Sequence, residues 1–423
     1  MQGLVAKGRL AREDADALLD RISVVGALDQ LAGASLIIEA IIEELEIKKR
    51  LFAELERLVA ADAILATNTS SLSVTAVARD MKHPDRVVGM HFFNPAPVMK
   101  LVEVVSGIAT SREIAERVFA TASAWGKRPV HAKSTPGFIV NRVARPFYGE
   151  ALRLYEEQVA DPSTIDALLT QGGGFRMGPF ELMDLIGNDV NYAVSVSVFN
   201  AFYQEPRFRP SALQLEMVNA GRLGRKAKQG FYDYATGSPK PSPATFVPTE
   251  GAPPIKAFEP GHDTEAGGVK ICFSDGRTAQ RLASLLGAPA IVYDLVATPQ
   301  QGARLGFAAS DDVPPAMCAR FAATMAEKGV ACTRLPDWPG LVVLRTVAML
   351  ANEGFEAVLQ GVASEQGVDT AMRFGVNYPR GPMEWAREIG LKRILAVLDT
   401  LSELTRDPRY RASLGLRMAV EKA

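Results

Sequence analysis

Apolar positions in the first part of the chain alternate between two patterns. Short runs rich in branched residues, typical of buried strands, are separated by longer stretches with the helical period. The predicted strands are Ser35–Ala40, Ala63–Thr67, Val87–Phe93, Leu101–Val105 and Pro129–Ala132. Helices are predicted over Leu45–Leu58 and Arg112–Trp125, and a further helix opens the chain. The alternation predicts an α/β domain over residues 1–133.

The rest of the chain divides at changes in this pattern. The predicted segments are a helical domain (134–235), a linker (236–264), a small α/β segment (265–334) and a second helical domain (335–423). The linker is rich in proline, which favours an extended, semi-rigid chain. In the small segment, strands are predicted over Val269–Phe273 and Ala290–Tyr293. The fold class is therefore α/β plus all-α.

The second helical domain repeats the first. A shift of 203 positions places Pro136-Gly137 on Pro339-Gly340 and continues without a gap. Further matched positions are Arg142 with Arg345, Glu150 with Glu353, Asp166 with Asp369, and Glu181 with Glu384. The repeat predicts two copies of one domain that pack as a pseudo-two-fold pair, as two subunits would.

Composition excludes several classes of protein. The 47 basic and 48 acidic residues give a net charge of −1, so no overall field favours nucleic acid or an anionic membrane. No apolar run is long enough to span a membrane, and the charged N-terminus lacks the apolar core of a signal peptide. The cysteines, Cys272, Cys318 and Cys332, and the few histidines show no metal-ligand spacing. A cytoplasmic protein without a metal and with reduced cysteines is predicted.

The segment from Val87 to Val105 carries the clearest chemical signal. Two β-branched runs flank Asn94-Pro95-Ala96-Pro97, which predicts a hairpin turn. A turn centred near Pro97 places His91 opposite Glu103, because each lies six residues from it. A carboxylate beside an imidazole favours a general base. On the hairpin alone, a structural histidine satisfied by a neighbouring acid is equally consistent.

Small polar residues follow the second predicted strand. Asn68-Thr69-Ser70-Ser71 stands at its carboxyl end, where ligands bind in open α/β sheets. The alternative is that one of them caps a helix beginning near Leu72. Asn141 is a polar residue at the start of an otherwise apolar helix, and its alternative role is a buried hydrogen bond at the domain junction.

Together these residues resemble the 3-hydroxyacyl-CoA dehydrogenase family, including its 3-hydroxybutyryl-CoA dehydrogenase branch. The motifs that carry the resemblance are NTSSLS, HFFNPAPVMKLVEVV, TPGFIVNR, GPFELMDLIG and RKAKQGFYDY, all within residues 1–235. The repeated helical domain is similar to the long, two-copy form of the family found in bacterial aromatic degradation. The resemblance implies a Rossmann-like NAD-binding domain followed by two copies of the family's helical C-terminal domain.

The resemblance also implies a reaction and its residues. NAD would oxidise the 3-hydroxyl of an L-3-hydroxyacyl-CoA thioester to the 3-oxo product, in fatty-acid or aromatic-degradation β-oxidation. The implied catalytic residues are His91 as base, Glu103 to orient it, Ser70 bonded to the reacting oxygen, and Asn141 holding His91 or that oxygen. The implied NAD contacts are Glu43, Lys48, Asn94 and Lys226. The residues alone also allow another interpretation, in which Glu43 and Lys48 form the solvated start of a helix and Lys226 is a surface charge.

The chain departs from the family pattern at its start. A G-x-G-x-x-G turn, which would cradle the pyrophosphate, occurs nowhere in the sequence. Met1 falls after the point where the family's first βαβ unit ends, so the NAD-binding domain is predicted to be incomplete and the chain N-terminally truncated. We therefore expect an uncovered sheet edge with an exposed apolar face, weak NAD binding and low activity.

The second copy is predicted to be structural. Its match to Asn141 is Leu344, and no H-F-F-N-P motif precedes it. Because the two copies are fused in one chain, the protein can be a monomer, and a homo-oligomer is also compatible with the sequence. Two alternatives to the dehydrogenase remain: an inactive remnant that serves as a binding module, and a related dehydrogenase of a hydroxy acid without CoA.

Overall fold

The computed structural model describes residues 2–8, 10–256 and 258–423. The first region holds the strands β1 (Leu36–Glu39), β2 (Ile64–Thr67), β3 (Val87–Phe92), β4 (Leu101–Ser106) and β5 (Arg128–Lys133). Its helices are α1 (Gln2–Ala6), α2 (Arg12–Leu19), α3 (Leu45–Leu58), α4 (Val74–Ala78) and α5 (Arg112–Ala124). All five predicted strands and both bounded helices are confirmed, with ends that differ by one residue at most.

These strands form one sheet in the order β1-β2-β3-β4-β5. The pairs β1–β2, β2–β3 and β4–β5 are parallel, whereas β3 and β4 form an antiparallel hairpin. Strand β1 lies at an edge of the sheet. Val24, in the segment before β1, is 96% exposed, and Ile42, which follows β1, is 59% exposed.

The first helical region comprises α6 (Val140–Val143), α7 (Arg145–Glu156), α8 (Pro162–Ala167), α9 (Pro179–Ile186), α10 (Asn188–Ala201) and α11 (Ala212–Asn219). The linker runs along the second sheet, where the Phe246 N–H donates to the Cys332 carbonyl (2.7 Å).

A second sheet follows the linker. It consists of β6 (Thr264–Ala266), β7 (Val269–Phe273), β8 (Ala290–Tyr293), β9 (Arg304–Ala309) and β10 (Ala331–Arg334), with α12 (Ala279–Leu286) and α13 (Pro315–Glu327) packed against it. The strand order is β10-β9-β8-β7-β6. The β7–β8 pair is parallel, β8–β9 antiparallel and β9–β10 parallel, the same senses as in β2 to β5. The sequence predicted β7 and β8 but missed the other three strands.

The second helical region comprises α14 (Val343–Leu359), α15 (Glu365–Gly375), α16 (Pro382–Ile389), α17 (Leu391–Thr405) and α18 (Leu414–Lys422). It packs on the first through α7 and α14. Two buried ion pairs cross this interface, Arg142 Nε to Glu353 Oε1 at 2.5 Å and Arg345 Nε to Glu150 Oε2 at 2.6 Å. Arg142 and Arg345 occupy matching positions in the two regions, and so do Glu150 and Glu353. Exchanging the two regions therefore converts one pair into the other, as a two-fold axis would.

Two further sequence predictions concern the whole chain. All three cysteines are buried and free of disulfide bonds, as predicted for packing residues. Among the described residues, no helix has both the length and the apolar character needed to cross a membrane.

Candidate active site

The β3–β4 hairpin pairs His91 directly with Glu103. His91 Nδ1 lies 2.6 Å from Glu103 Oε2, and the two residues are 5% and 0% exposed. The hairpin turn thus produces the juxtaposition that the distances from Pro97 predict. Because the carboxylate accepts a bond from Nδ1, it fixes the imidazole tautomer and leaves Nε2 as the nitrogen for a substrate.

The second oxygen of Glu103 reaches the helical region. Oε1 accepts hydrogen bonds from the backbone N–H groups of Ile139 and Val140, both at 3.0 Å. These N–H groups lie at the start of α6, where a helix has no partner for them within its own backbone. One buried carboxylate therefore joins the imidazole on the sheet to the segment that carries Asn141.

Aromatic rings surround His91. Its ring centroid lies 4.6 Å from that of Phe93 and 5.8 Å from that of Phe138. Such packing restricts the orientation of the imidazole and shields its bond to Glu103 from water.

A cavity of about 250 Å³ lies between the carboxyl end of β2 and α10. Ser70 and Asn141 line it, together with Val194, Ser197 and Val198 of α10. Asn141 Nδ2 lies 3.5 Å from the Ser70 carbonyl, a long hydrogen bond across the junction. The structure therefore brings Ser70 and Asn141 together. His91 does not line this cavity, and its link to Asn141 runs through Glu103 and the backbone at the start of α6.

Glu43 organises the loop that carries Ser70. Its Oε1 accepts bonds from Thr69 Oγ1 (2.6 Å) and from the N–H groups of Ser70 (3.0 Å) and Ser71 (3.1 Å). Although burial opposes ionisation of Glu43, these bonds and the Lys48 ammonium hold its pKa below the usual value. The carboxylate is thus charged at neutral pH and fixes the Ser70 backbone.

The predicted capping role of the Asn68–Ser71 segment is wrong. Helix α4 begins at Val74, and its cap is Ser73, whose Oγ accepts from the Ala76 N–H (3.2 Å). Asn68 instead accepts the Phe92 N–H through Oδ1 (2.8 Å), which ties the loop to β3 beside His91.

Lys48 is buried rather than part of a solvated helix start. Only 1% of its side chain is exposed, and Nζ lies 2.6 Å from Glu39 Oε1 and 3.2 Å from Glu43 Oε2. Glu39, which also accepts from Thr67 Oγ1 (2.7 Å), was not among the predicted site residues. Its place within the apolar run from Leu36 to Ile42 indicates a buried carboxylate, and a buried carboxylate requires a partner such as Lys48.

The other two predicted cofactor residues lie at the surface. Asn94 is exposed in the turn that follows β3. Lys226 is 47% exposed and pairs with Asp189 at 2.6 Å, as the surface-charge alternative predicts.

Three family models and several known proteins match this chain. The family model of the 3-hydroxyacyl-CoA dehydrogenase NAD binding domain matches residues 1–135, and that of the C-terminal domain matches residues 137–234 and 340–423. A model of the 3-hydroxybutyryl-CoA dehydrogenase reduced Rossmann-fold domain matches residues 271–339. The 3-hydroxyadipyl-CoA dehydrogenase of Escherichia coli (strain K12) is 47% identical over 98% of this chain and 86% of that protein.

The chain belongs to the 3-hydroxyacyl-CoA dehydrogenase family. A crystal structure titled 3-hydroxybutyryl-CoA dehydrogenase from Escherichia coli K12 superposes with a TM-score of 0.94 at 46% identity, covering 100% of this chain and 88% of that one. The 3-hydroxybutyryl-CoA dehydrogenase of Clostridioides difficile is 43% identical over 55% of this chain and 82% of that protein. The chain thus combines the family's Rossmann-like NAD-binding domain with its helical C-terminal domain.

The second sheet of this family member holds a different residue at the position that His91 has in the first. The Asp294 N–H donates to the Gly306 carbonyl (2.9 Å), so these two residues face each other as His91 and Glu103 do. The Asp294 carboxylate accepts the N–H groups of Val342, Val343 and Leu344 at the start of α14. Burial raises the pKa of Asp294 to about 6, although these bonds oppose the shift. Asp294 thus anchors a helix start as Glu103 does, without an imidazole.

One loop of the second sheet packs more closely on the helical region than the corresponding loop of the first sheet does. A Cβ on Gly276 would lie 2.8 Å from the Cα of Val397, so this loop touches α17 directly. In the first region the corresponding loop, at Ser71, is separated from α10 by the 250 Å³ cavity.

The carboxyl edge of β1 and β2 fits one end of a dinucleotide. The Glu43 side chain is 37% exposed there, and Ile41 and Ile42 are 43% and 59% exposed. A carboxylate can accept hydrogen bonds from ribose hydroxyl groups, and exposed apolar surface can pack against a flat ring. Ligands of open α/β sheets bind in this crevice, outside the strand ends. The carboxylate and the apolar surface fit a ribose and its attached ring, whereas the sequence has no glycine-rich turn for the pyrophosphate.

Proposed function

We propose that the chain oxidises the 3-hydroxyl group of an L-3-hydroxyacyl-CoA to the 3-oxo group, with NAD as the oxidant. The observation that carries this proposal is the buried His91–Glu103 pair, with 2.6 Å between Nδ1 and Oε2. A dehydrogenase needs a base for the hydroxyl proton, and an imidazole oriented by a carboxylate is such a base. Family membership supports the substrate class and the cofactor.

His91 takes the proton from the 3-hydroxyl through Nε2 in this proposal. The imidazole becomes a positively charged imidazolium when it takes the proton. The ionised Glu103, bonded to Nδ1, stabilises that charge. NAD supplies the acceptor for the hydride that leaves C3. Since Glu103 also binds the start of α6, His91 is oriented only when the sheet and the helical region are docked.

Ser70 and Asn141 hold the reacting oxygen and the acyl group. Both line the cavity beside α10, whose Val194 and Val198 offer apolar contact for the acyl chain. Ser70 donates its hydroxyl to the 3-oxygen, and the Asn141 amide holds that oxygen or His91 from the helical side. Glu43 acts behind them by fixing the Ser70 backbone.

Glu43, Lys48, Asn94 and Lys226 are the proposed contacts at the NAD end. Among these four residues, Glu43 presents an exposed, ionised side chain to the crevice. We assign Lys48 an indirect part, because its ammonium is buried between the carboxylates of Glu39 and Glu43. Asn94 and Lys226 retain their proposed roles on the resemblance alone.

We further infer a domain organisation with an internal duplication. The boundaries are 1–133, 134–235, 236–264, 265–334 and 335–423, the second and last being two copies of the helical domain. The exchange-related ion pairs of Arg142 and Arg345 support a pseudo-dimer within one chain, in which the second copy replaces the partner subunit. A cytoplasmic location and any higher association belong to the same proposal.

The reaction is tested in the reverse direction with purified protein, acetoacetyl-CoA and NADH. We expect saturable oxidation of NADH that depends on acetoacetyl-CoA and does not occur with free acetoacetate. A parallel titration of NADH fluorescence separates weak cofactor binding from absent chemistry. Bound NADH and bound acetoacetyl-CoA without turnover would overturn the proposal in favour of a binding module.

Glu103→Gln tests the double role of the carboxylate. Glutamine keeps one oxygen for the Ile139 and Val140 N–H groups but cannot stabilise an imidazolium. We expect kcat to fall by about 10²-fold, and the free energy of unfolding to fall by about 1–3 kcal/mol because a buried charged hydrogen bond is lost.

The matched control is Asp294→Asn, which alters the equivalent helix anchor in the second sheet. It is expected to reduce stability by a similar amount and to leave kcat unchanged, since no imidazole adjoins Asp294. Equal losses of kcat in both variants would show that Glu103 acts on the rate only through the fold.

A further inference from the structure

The interface between the two helical regions contains a small cavity that the proposed reaction does not use. Its volume is about 30 Å³, and it lies between α7, α10 and the turn that begins at Pro206. Four arginines and one carboxylate line it: Arg145, Arg207, Arg209, Arg409 and Glu150. A space of this size holds a water molecule or a small ion.

The carboxylates around the cavity are already in use. Each of three acids is shared by two partners within 3.3 Å: Glu150 by Arg345 and Tyr410, Glu353 by Arg142 and Arg207, and Asp407 by Arg153 and Arg409. Positive charge therefore exceeds negative charge along the cavity wall.

Arg145 is a buried part of this excess. It is 8% exposed, and its bonds go to neutral groups, from Nε to the Asn141 carbonyl (2.9 Å) and from Nη1 to Ser195 Oγ (3.1 Å). No carboxylate of the described residues lies within ion-pair distance of it. Burial lowers the pKa of Arg145, although Tyr148 and Tyr378 oppose this shift. A buried cation without a counter-ion is unfavourable.

Two N–H groups of the lining arginines also lack a hydrogen-bond acceptor among the described residues. The buried Nε–H of Arg207 has no acceptor among the described residues. Arg409 Nε lies 3.3 Å from Asp407 Oδ2 without forming a hydrogen bond. Arg207 and Arg409 occupy matching positions in the two helical regions, so their donors approach the interface from both sides.

We propose that this cavity binds a small monovalent inorganic anion, for which chloride has the right size and charge. Water could accept from the free donors but would leave the excess charge uncompensated. An anion supplies both the acceptor and the counter-charge, and thereby stabilises the contact between the two helical regions.

The first test compares melting temperatures in sodium chloride and sodium gluconate at equal ionic strength. Because an ion that binds only the folded state stabilises it by mass action, we expect Tm to be about 2 °C higher in chloride. Bromide should act like chloride. Equal Tm values in the three salts would overturn the proposal.

Variants locate the effect. Arg145→Met removes the uncompensated charge and is expected to abolish the chloride-dependent difference in Tm, whatever its effect on Tm itself. Arg209→Gln, at an exposed lining residue, should reduce the difference without a risk to folding. The control is Arg112→Gln, whose side chain is 94% exposed on α5 and remote from the cavity. The proposal fails if all three variants retain the full difference.

Anomalous diffraction from crystals grown with sodium bromide gives a direct view. We expect one bromide peak in the cavity, within hydrogen-bond distance of Arg145 or Arg207. An anomalous peak absent at this position, with a water molecule in its place, would contradict the proposal.

Discussion

Replacing His91 with alanine is expected to lower kcat for acetoacetyl-CoA reduction by about 10³-fold. In the proposed mechanism, His91 transfers the proton at the reacting oxygen, so no other side chain compensates for its loss. The side chain is nearly buried, yet its removal leaves Glu103 bonded to Ile139 and Val140. The measurement is steady-state kinetics with NADH, alongside a denaturation curve that confirms folding.

His131→Ala is the matched control for this prediction. His131 lies on β5, is 45% exposed, and approaches Glu116 at 3.5 Å, so it is another imidazole beside an acid. Its replacement should leave kcat unchanged. A His91→Ala protein that folds normally and keeps more than about a tenth of the activity would be incompatible with a general base at this position.

Glu353→Gln is expected to cost about 3–5 kcal/mol of the free energy of unfolding. Glu353 is fully buried, and its two oxygens accept from Arg142 (2.5 Å) and Arg207 (3.1 Å). The amide removes the negative charge that these two buried guanidinium groups share. Loss of this charge should loosen the packing of the two helical regions. Urea denaturation followed by circular dichroism measures the change.

An exposed ion pair provides the control. Glu365 and Arg387 lie 2.6 Å apart with side chains that are 44% and 47% exposed. Glu365→Gln should change the free energy of unfolding by less than about 1 kcal/mol, because solvent screens this pair. If the two variants are equally stable, the buried pairs do not hold the helical regions together.

Local patterns were sufficient for the first sheet. Its strands are apolar runs bounded by turn residues, and the His91–Glu103 register follows from the distances to Pro97. Strand β9 was missed because Gly306 and its alanines have low strand propensity and owe their place to the neighbouring strands. The pairing of Arg142 with Glu353 joins residues 211 positions apart, and no local pattern predicts it.

Contacts between distant segments account for what the sequence did not predict at the site. The burial of Lys48 depends on Glu39, which lies nine residues earlier on a strand. The local sequence around either residue does not indicate this ion pair. Likewise, the bond from Ile139 N–H to Glu103 spans 36 positions. Asp294 anchors the start of α14 through N–H groups 48 to 50 positions later, which its local sequence does not indicate.

The most direct measurement is the structure of the protein bound to acetoacetyl-CoA. We expect the 3-oxygen at about 2.6–3.2 Å from His91 Nε2, with Ser70 Oγ as a second partner and the acyl group against α10. A bound thioester whose 3-oxygen lies out of reach of His91, whatever the occupancy of the cavity, would contradict it.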